Sequence, residues 1–231
     1  MLSETKEILK QSYNKYAHVR EKNEMQDWKV KPRKSFLEQL LNDGKVNIPT
    51  LYAEILAPSL NNMNCNVKRK EICIWKEHVR SSIIRTIIEC CYPYVAKESK
   101  SKVQKNEKVI IVCPSEEFHE LGARMAADFF TICGYNSIFV GSNTPQNDFI
   151  NAVDVINPKY IVISVSNYYN LVFAKKVISK IREKTLNKDF KIIVGGYAFK
   201  ENPEVYKEIG ADFQVNSYEE IENISKGGLY K

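Results

Sequence analysis

Through the first hundred residues the apolar positions recur at helical spacing: Ile8, Leu9, Tyr13 and Tyr16, then Phe36, Leu37, Leu40 and Leu41, then Leu51, Ile55 and Leu56, then Ile74, Ile83, Ile84 and Ile87. Steps of three and four lay an apolar stripe along a helix, so this half is predicted to form helices, separated by the stops Asn42-Asp43-Gly44 and Ala57-Pro58-Ser59. Four or five helices joined this way pack as a small antiparallel bundle. Ala96 to Lys108 then reads Ala-Lys-Glu-Ser-Lys-Ser-Lys-Val-Gln-Lys-Asn-Glu-Lys, nearly free of apolar residues, and marks a boundary between a helical domain at 1–98 and a second domain at 108–231.

Beyond it the period changes. Lys108–Cys113, Asn136–Val140, Tyr160–Val165, Lys191–Val194 and Asp212–Val215 are short β-branched runs that read as strands. Glu117–Cys133, Gln146–Ile156, Leu171–Lys184 and Pro203–Ile209 between them read as helices. Mostly apolar strands in strict alternation with helices imply a parallel sheet covered on both faces, an α/β fold of doubly wound, flavodoxin-like (Rossmann-like) type. Ligands of such sheets bind beyond the carboxyl ends of the strands, so the loops opening at Pro114, Gly141, Ser166 and Gly195 are the ones to inspect.

Composition narrows the class. With 44% hydrophobic and 27% charged residues and no long apolar run, the chain reads as globular rather than membrane-spanning. Its first residues lack an apolar signal core, which gives a cytoplasmic expectation, and the six cysteines are then expected as thiols, mostly buried. Net charge is +6, carried by residues 1–107 with 20 Lys and Arg against 13 Asp and Glu. No helix-turn-helix spacing or aromatic-interleaved basic stripe accompanies that excess, so direct DNA binding is not expected; the basic half reads as a solvated face or a docking surface for an acidic partner.

The loop after the first strand runs Pro114-Ser115-Glu116-Glu117-Phe118-His119-Glu120-Leu121-Gly122. It is no phosphate cradle: neither G-x-G-x-x-G nor a P-loop lysine is present. It puts one histidine at the mouth of the sheet with a carboxylate two residues earlier. A neutral imidazole ligates a transition metal through one ring nitrogen, and the other needs an acceptor to fix tautomer and orientation. The third strand ends in two hydroxyls, Ser164 and Ser166, and the fourth in Gly195-Gly196, where backbone can be approached closely.

The order and spacing of Glu117-x-His119-x-x-Gly122, Ser164-x-Ser166 and Gly195-Gly196 resemble the D-x-H-x-x-G, S-x-L and G-G signature of cobalamin-binding domains of the base-off, His-on type. The resemblance implies that His119 is the lower axial ligand to cobalt and Glu117 the hydrogen-bond partner of its far nitrogen. It also implies that Gly122 admits the cofactor's nucleotide tail, Ser164 meets its benzimidazole, and Ser166, Gly195 and Gly196 line the slot, with Phe118 and Leu121 flanking it. Two departures stand out. Glu117 is one methylene longer than the usual aspartate, so its bond to His119 is expected through a different rotamer or a water. Ser166 replaces leucine and makes that wall more polar.

The helical half, from Leu51-Tyr52-Ala53-Glu54 through Trp75-Lys76-Glu77-His78 to Tyr92-Pro93-Tyr94, is similar to the four-helix bundle that caps the upper face of cobalt in such proteins. Glu77-His78, with His119-Glu120-Leu121-Gly122-Ala123-Arg124-Met125, looks most like the cobalamin-dependent light-sensing repressors of carotenoid genes. Their W-x9-E-H tryptophan falls here on Val67, so the sheltering aromatic is missing, and Trp75 reads as a core or interface residue. His78 either reaches the cofactor or packs as a polar pair with Glu77.

The resemblance implies cobalamin as cofactor, with adenosyl and methyl forms both open, and no catalysis by the chain alone. Two roles follow. The expected one is a sensor whose upper-ligand state, set by light, alkylation or redox, changes a protein interface, favoured by the Glu77-His78 pair and by the continuation His119-Glu120-Leu121-Gly122-Ala123-Arg124-Met125. The other is a corrinoid methyl carrier serving separate methyltransferases. A protein partner, regulator or methyltransferase, is expected in either case, and a homo-oligomer is open.

Overall fold

The computed structural model describes residues 41–44, 46–61, 73–185, 189–202 and 204–228. The helix expected around Ile8–Tyr16, most of that around Phe36–Leu41, and position Val67 lie outside the described residues, and so does the bundle taken as a whole. Two compact units divide between Tyr94 and Val95.

In the first unit, α1 (Ile48–Leu51), a π-helical turn (Tyr52–Leu56) and α2 (Ala57–Asn61) follow one another without a break. Asn47 caps the start by accepting from the Thr50 amide at 2.8 Å. Leu51, Ile55 and Leu56, the predicted stripe, are buried. The stop expected at Ala57-Pro58-Ser59 does not end the helix. A proline ring normally meets the carbonyl four residues back, and the wider π turn immediately before Pro58 relieves that clash.

Helix α3 (Cys73–Lys100) extends through the first residues of the expected linker. Ile84, Ile88, Cys91, Val95 and Ser99 are buried along it, at steps of three and four. The apolar stripe therefore continues past Ala96, and lysine and glutamate there are good helix formers, which is why Lys97–Lys100 are helix rather than linker. Trp75 is 55% exposed and is no core residue. Cys91, Cys113 and Cys133 are buried thiols and Cys90 a partly buried one.

The second unit holds five strands, β1 (Lys108–Val112), β2 (Asn136–Gly141), β3 (Tyr160–Ser164), β4 (Lys191–Gly195) and β5 (Phe213–Val215). They form one sheet in the order β2-β1-β3-β4-β5, every pairing parallel. That is the flavodoxin-like order expected from the alternation. Helices α4 (Leu121–Ile132), α5 (Gln146–Ile156), α6 (Leu171–Lys184), α7 (Val205–Glu208) and α8 (Tyr218–Ser225) complete the unit.

Alternate residues of each strand feed two cores. Ile110, Val112, Ile161, Ile163, Ile192 and Val194 pack with α5 and α6 residues such as Ile150 and Ile178. Val109, Ile111, Val162 and Ile193 pack with α4 and α8 residues such as Phe130 and Ile221. Helix α8 was not expected from periodicity. Its start carries a Ser217-x-x-Glu220 cap, in which the Glu220 amide donates to the Ser217 hydroxyl at 3.3 Å and the Glu220 carboxylate accepts from the amide of Asn216, one residue before the cap. Helix α4 begins four residues later than expected, and the displaced residues form the site.

Candidate functional site

In the strand order β2-β1-β3, chain direction reverses its progression across the sheet between β1 and β3, and a crevice opens at their carboxyl ends. The loop from Pro114 to Glu120 fills that position. Its residues are helix-compatible, yet Glu116 takes a left-handed backbone conformation at φ 66° through which no helix can run, and the helix starts only at Leu121. The loop is braced on the β2 side: the Glu116 amide donates to Asn143 Oδ1 at 3.0 Å. The Asn143 amide donates to the Glu117 carbonyl at 3.0 Å, and the Ser142 amide to the Glu120 carboxylate at 3.0 Å.

On the β3 side the brace is the Glu117 side chain. It is 0% exposed, and its two oxygens divide the work. Oε1 accepts from the His119 amide at 3.0 Å and lies 2.7 Å from His119 Nδ1. Oε2 accepts from the Ser166 and Asn167 amides, both at 2.9 Å, and from Asn170 Nδ2 at 3.2 Å. Burial by itself would raise the Glu117 carboxyl, but the hydrogen bonds from the His119 ring, the Asn167 and His119 amides and the Asn170 amide outweigh it and hold it at about 2. Near neutral pH it is a carboxylate. The extra methylene of glutamate thus gives a direct contact with the imidazole, with no need of a water, while the second oxygen reaches the β3 loop.

An ionised carboxylate at that distance requires a proton on Nδ1, so in the neutral ring the lone pair sits on Nε2. The His119 side chain is 58% exposed, its Nδ1 edge held and its ring accessible from the crevice. Among the described residues no group of three or more His, Cys, Asp or Glu could hold a metal ion. A metal at His119 would draw its remaining ligands from a cofactor.

The other expected residues converge here. Ser164, at the buried end of β3, is the register partner of Gly195 on β4, and Ser166 follows it in the loop whose amide Glu117 holds. Leu121 is buried in the first turn of α4. At Gly122 no atom of the described residues outside its own helix backbone lies within 4 Å of where a Cβ would stand, so the space there is open.

At Gly195 and Gly196 the protein's own backbone supplies a reason for glycine beside the expected one. A Cβ on Gly195 would meet the Val215 carbonyl at 2.7 Å, and one on Gly196 the Val165 carbonyl at 2.3 Å, with Gly196 at φ 109°. Both are demanded by the close packing of the protein's own backbone, which the sequence did not reveal. Glu77 and His78 lie on α3 in the first unit, His78 exposed and Glu77 half-buried.

Asn170 was missed. It is buried, donating to the Glu117 carboxylate and, at 3.1 Å, to the Glu116 carbonyl, so one side chain ties the β3 loop to the β1 loop twice. The only sequence signal was an asparagine closing Asn167-Tyr168-Tyr169-Asn170, a polar turn directly after the Ser164-x-Ser166 pair. Cys113, under the loop, is pushed up to about 12 by burial, with the negative charges of Glu117 and Glu120 adding to it.

Comparison with known proteins bears on the same region. The family described as the B12 binding domain matches residues 107–223, just over half of the chain. A corrinoid protein of Desulfitobacterium hafniense (strain Y51) is 26% identical over 104 residues, 45% of this chain and 48% of the relative, so the chain spans about half the length of the curated relative it matches. Among solved structures, the monomethylamine corrinoid protein of Methanosarcina barkeri aligns with a TM-score of 0.69 at 16% identity, over 85% of this chain and 90% of that one. A cobalamin-binding protein of Desulfitobacterium hafniense DCB-2 aligns at 0.50 and 15% identity, over 85% and 93%. At such identities these two structures speak to the fold alone.

Proposed function

This chain belongs to the B12 binding domain family and its cofactor is cobalamin; from that premise we propose that His119 is the lower axial ligand to cobalt and that the protein is a corrinoid methyl carrier serving separate methyltransferases. The observation that carries the ligation is the Glu117–His119 contact of 2.7 Å, which presents Nε2 as the basic nitrogen of a ring exposed in the switch-point crevice. The donor set suits a corrin: the macrocycle supplies the equatorial nitrogens, and one imidazole is all the protein need add. The open space at Gly122 suits close approach of the nucleotide tail to α4, and Ser164 and Ser166 at the end of β3 are the hydroxyl residues proposed to meet it.

When bound, cobalamin supplies the methyl-transfer chemistry at cobalt. The chain's own part is to hold the imidazole. Four N–H groups outside the imidazole fix the Glu117 carboxylate, the carboxylate fixes Nδ1, and so the ligand is oriented before the cofactor arrives. The carrier role is supported by the corrinoid protein of Desulfitobacterium hafniense among its sequence relatives and by the fold it shares with the monomethylamine corrinoid protein. A sensor responding to upper-ligand state is the second reading, favoured by the adjacent Glu77 and His78.

The two part under one experiment. Protein loaded with methylcobalamin is mixed in the dark with corrinoid-dependent methyltransferases and a thiol acceptor. Loss of the methyl group only when such an enzyme is present supports the carrier. No transfer, together with a light-driven change in oligomeric state of adenosylcobalamin-loaded protein, would replace it with the sensor.

A further inference from the structure

One face of α3 carries a row of exposed side chains that the core does not use. Trp75, His78, Ser82, Arg85, Glu89 and Tyr92 are all exposed, the two aromatic residues at 55% and 56%. They follow one another at steps of three, four, three, four and three residues, which sets them in a single seam along the helix. That is the heptad spacing by which two helices lie along each other. The seam stays within the first unit and runs for about 26 Å. Large aromatic side chains left in water at both of its ends mark a surface that something covers.

The seam is complementary to its own reverse. With chain direction inverted about the midpoint between Ile83 and Ile84, Trp75 falls opposite Tyr92, His78 opposite Glu89, and Ser82 opposite Arg85. Aromatic ring meets aromatic ring, imidazole meets carboxylate, and a small hydroxyl leaves room for a long guanidinium. A helix laid alongside in the same direction would instead set Arg85 against Arg85 and Glu89 against Glu89, like charge against like.

We infer that α3 pairs antiparallel with α3 of a second copy of this chain, about a two-fold axis that passes between Ile83 and Ile84. In such an isologous interface every contact occurs twice, so two Trp75–Tyr92 contacts close the ends, two His78–Glu89 contacts stand inside them, and two Ser82–Arg85 contacts flank the axis. The occupant is a second copy because the order of side chains on this face matches the same order read backwards, at all six positions. A single helix pair is a small interface, so the dimer forms reversibly at micromolar concentration. The pairing does not rest on the ligation of cobalt by His119, and neither stands or falls with the other.

The test is sedimentation equilibrium of the full chain loaded with hydroxocobalamin, over the micromolar range, where a monomer–dimer equilibrium is expected. Glu89→Arg sets a cation against His78 of the second copy, and His78→Glu sets two carboxylates together. Each variant alone is expected to self-associate about tenfold more weakly or worse, with an unchanged circular dichroism spectrum. Mixed in equal amounts, the two are expected to associate again. In the mixed pair one contact keeps His78 against Glu89 and the other sets the introduced arginine against the introduced glutamate. Misfolding of either variant cannot produce that rescue. A wild-type chain that stays monomeric throughout the range, single variants that associate as tightly as wild type, or a mixture no tighter than either variant alone overturns the pairing. A methyltransferase that binds the monomeric wild type and loses both variants would assign the seam to that enzyme instead.

Discussion

The carboxylate of Glu117 and the imidazole of His119 lie 2.7 Å apart, and the opposite oxygen of that carboxylate holds the amides of Ser166 and Asn167 on a different strand's loop. One buried side chain therefore sets both the orientation of the candidate ligand and the shape of the wall beside it.

Replacing that charge exposes its burden. Glu117→Gln keeps the length but turns an amide group toward N–H donors, and is expected to lower apoprotein stability by about 3 kcal/mol in urea unfolding. Glu117→Asp keeps the charge but is one methylene short of serving both sides. It is expected to cost less, about 1–2 kcal/mol, and to speed hydrogen exchange at the Ser166 and Asn167 amides. Unchanged exchange at those amides in both variants would show that the carboxylate does not hold the loop.

The same carboxylate predicts a pH dependence for the apoprotein. Its folded value of about 2 lies below the ordinary 4.5, so its contribution is complete above pH 4.5 and is lost as pH falls through the interval down to about 2. Denaturant midpoints measured from pH 6 to pH 2.5 should fall over that interval, and the fall should be shallower in Glu117→Gln.

Glycines at the site separate folding from binding. Gly196→Ala puts a Cβ 2.3 Å from the Val165 carbonyl at a backbone conformation side chains rarely adopt, and is expected to cost about 3 kcal/mol or more. Gly122→Ala has open space and is expected to hold or slightly raise the melting temperature. Its cobalamin affinity should nevertheless drop, because the added methyl occupies the passage assigned to the tail. Calorimetry and a cobalamin titration on each variant check the pair.

Cys113 and Cys133 are buried thiols whose ionisation burial pushes up, Cys113 to about 12. They should resist iodoacetamide at pH 8 in the folded protein while partly buried Cys90 reacts, with peptide mapping as the readout.

Much of the sheet domain was legible because its signals are local. Val109-Ile110-Ile111-Val112 and Ile161-Val162-Ile163 are too short and β-branched for helices, and strict alternation with amphipathic segments leaves few topologies. What periodicity could not see was where a helical pattern fails for tertiary reasons. Glu117–Glu120 continue the spacing of α4, and only the left-handed turn at Glu116 and the pull of the amides of residues 166 and 167 on Glu117 hold them out of the helix. The linker reading erred for the opposite reason, since a polar stretch of good helix formers behind Val95 still buries Ser99. Asn170 escaped notice because its role depends on a contact 53 residues away in sequence.

The ligation of cobalt by His119 is the central claim, and electron paramagnetic resonance of the cob(II)alamin-loaded protein tests it most directly. With protein grown on ring-15N histidine and unlabelled cofactor, each cobalt line is predicted to split into a doublet from a spin-half nitrogen, and to lose that doublet in His119→Ala. A triplet that persists in the labelled protein would place the cofactor's own nitrogen-14 base on cobalt and contradict the account.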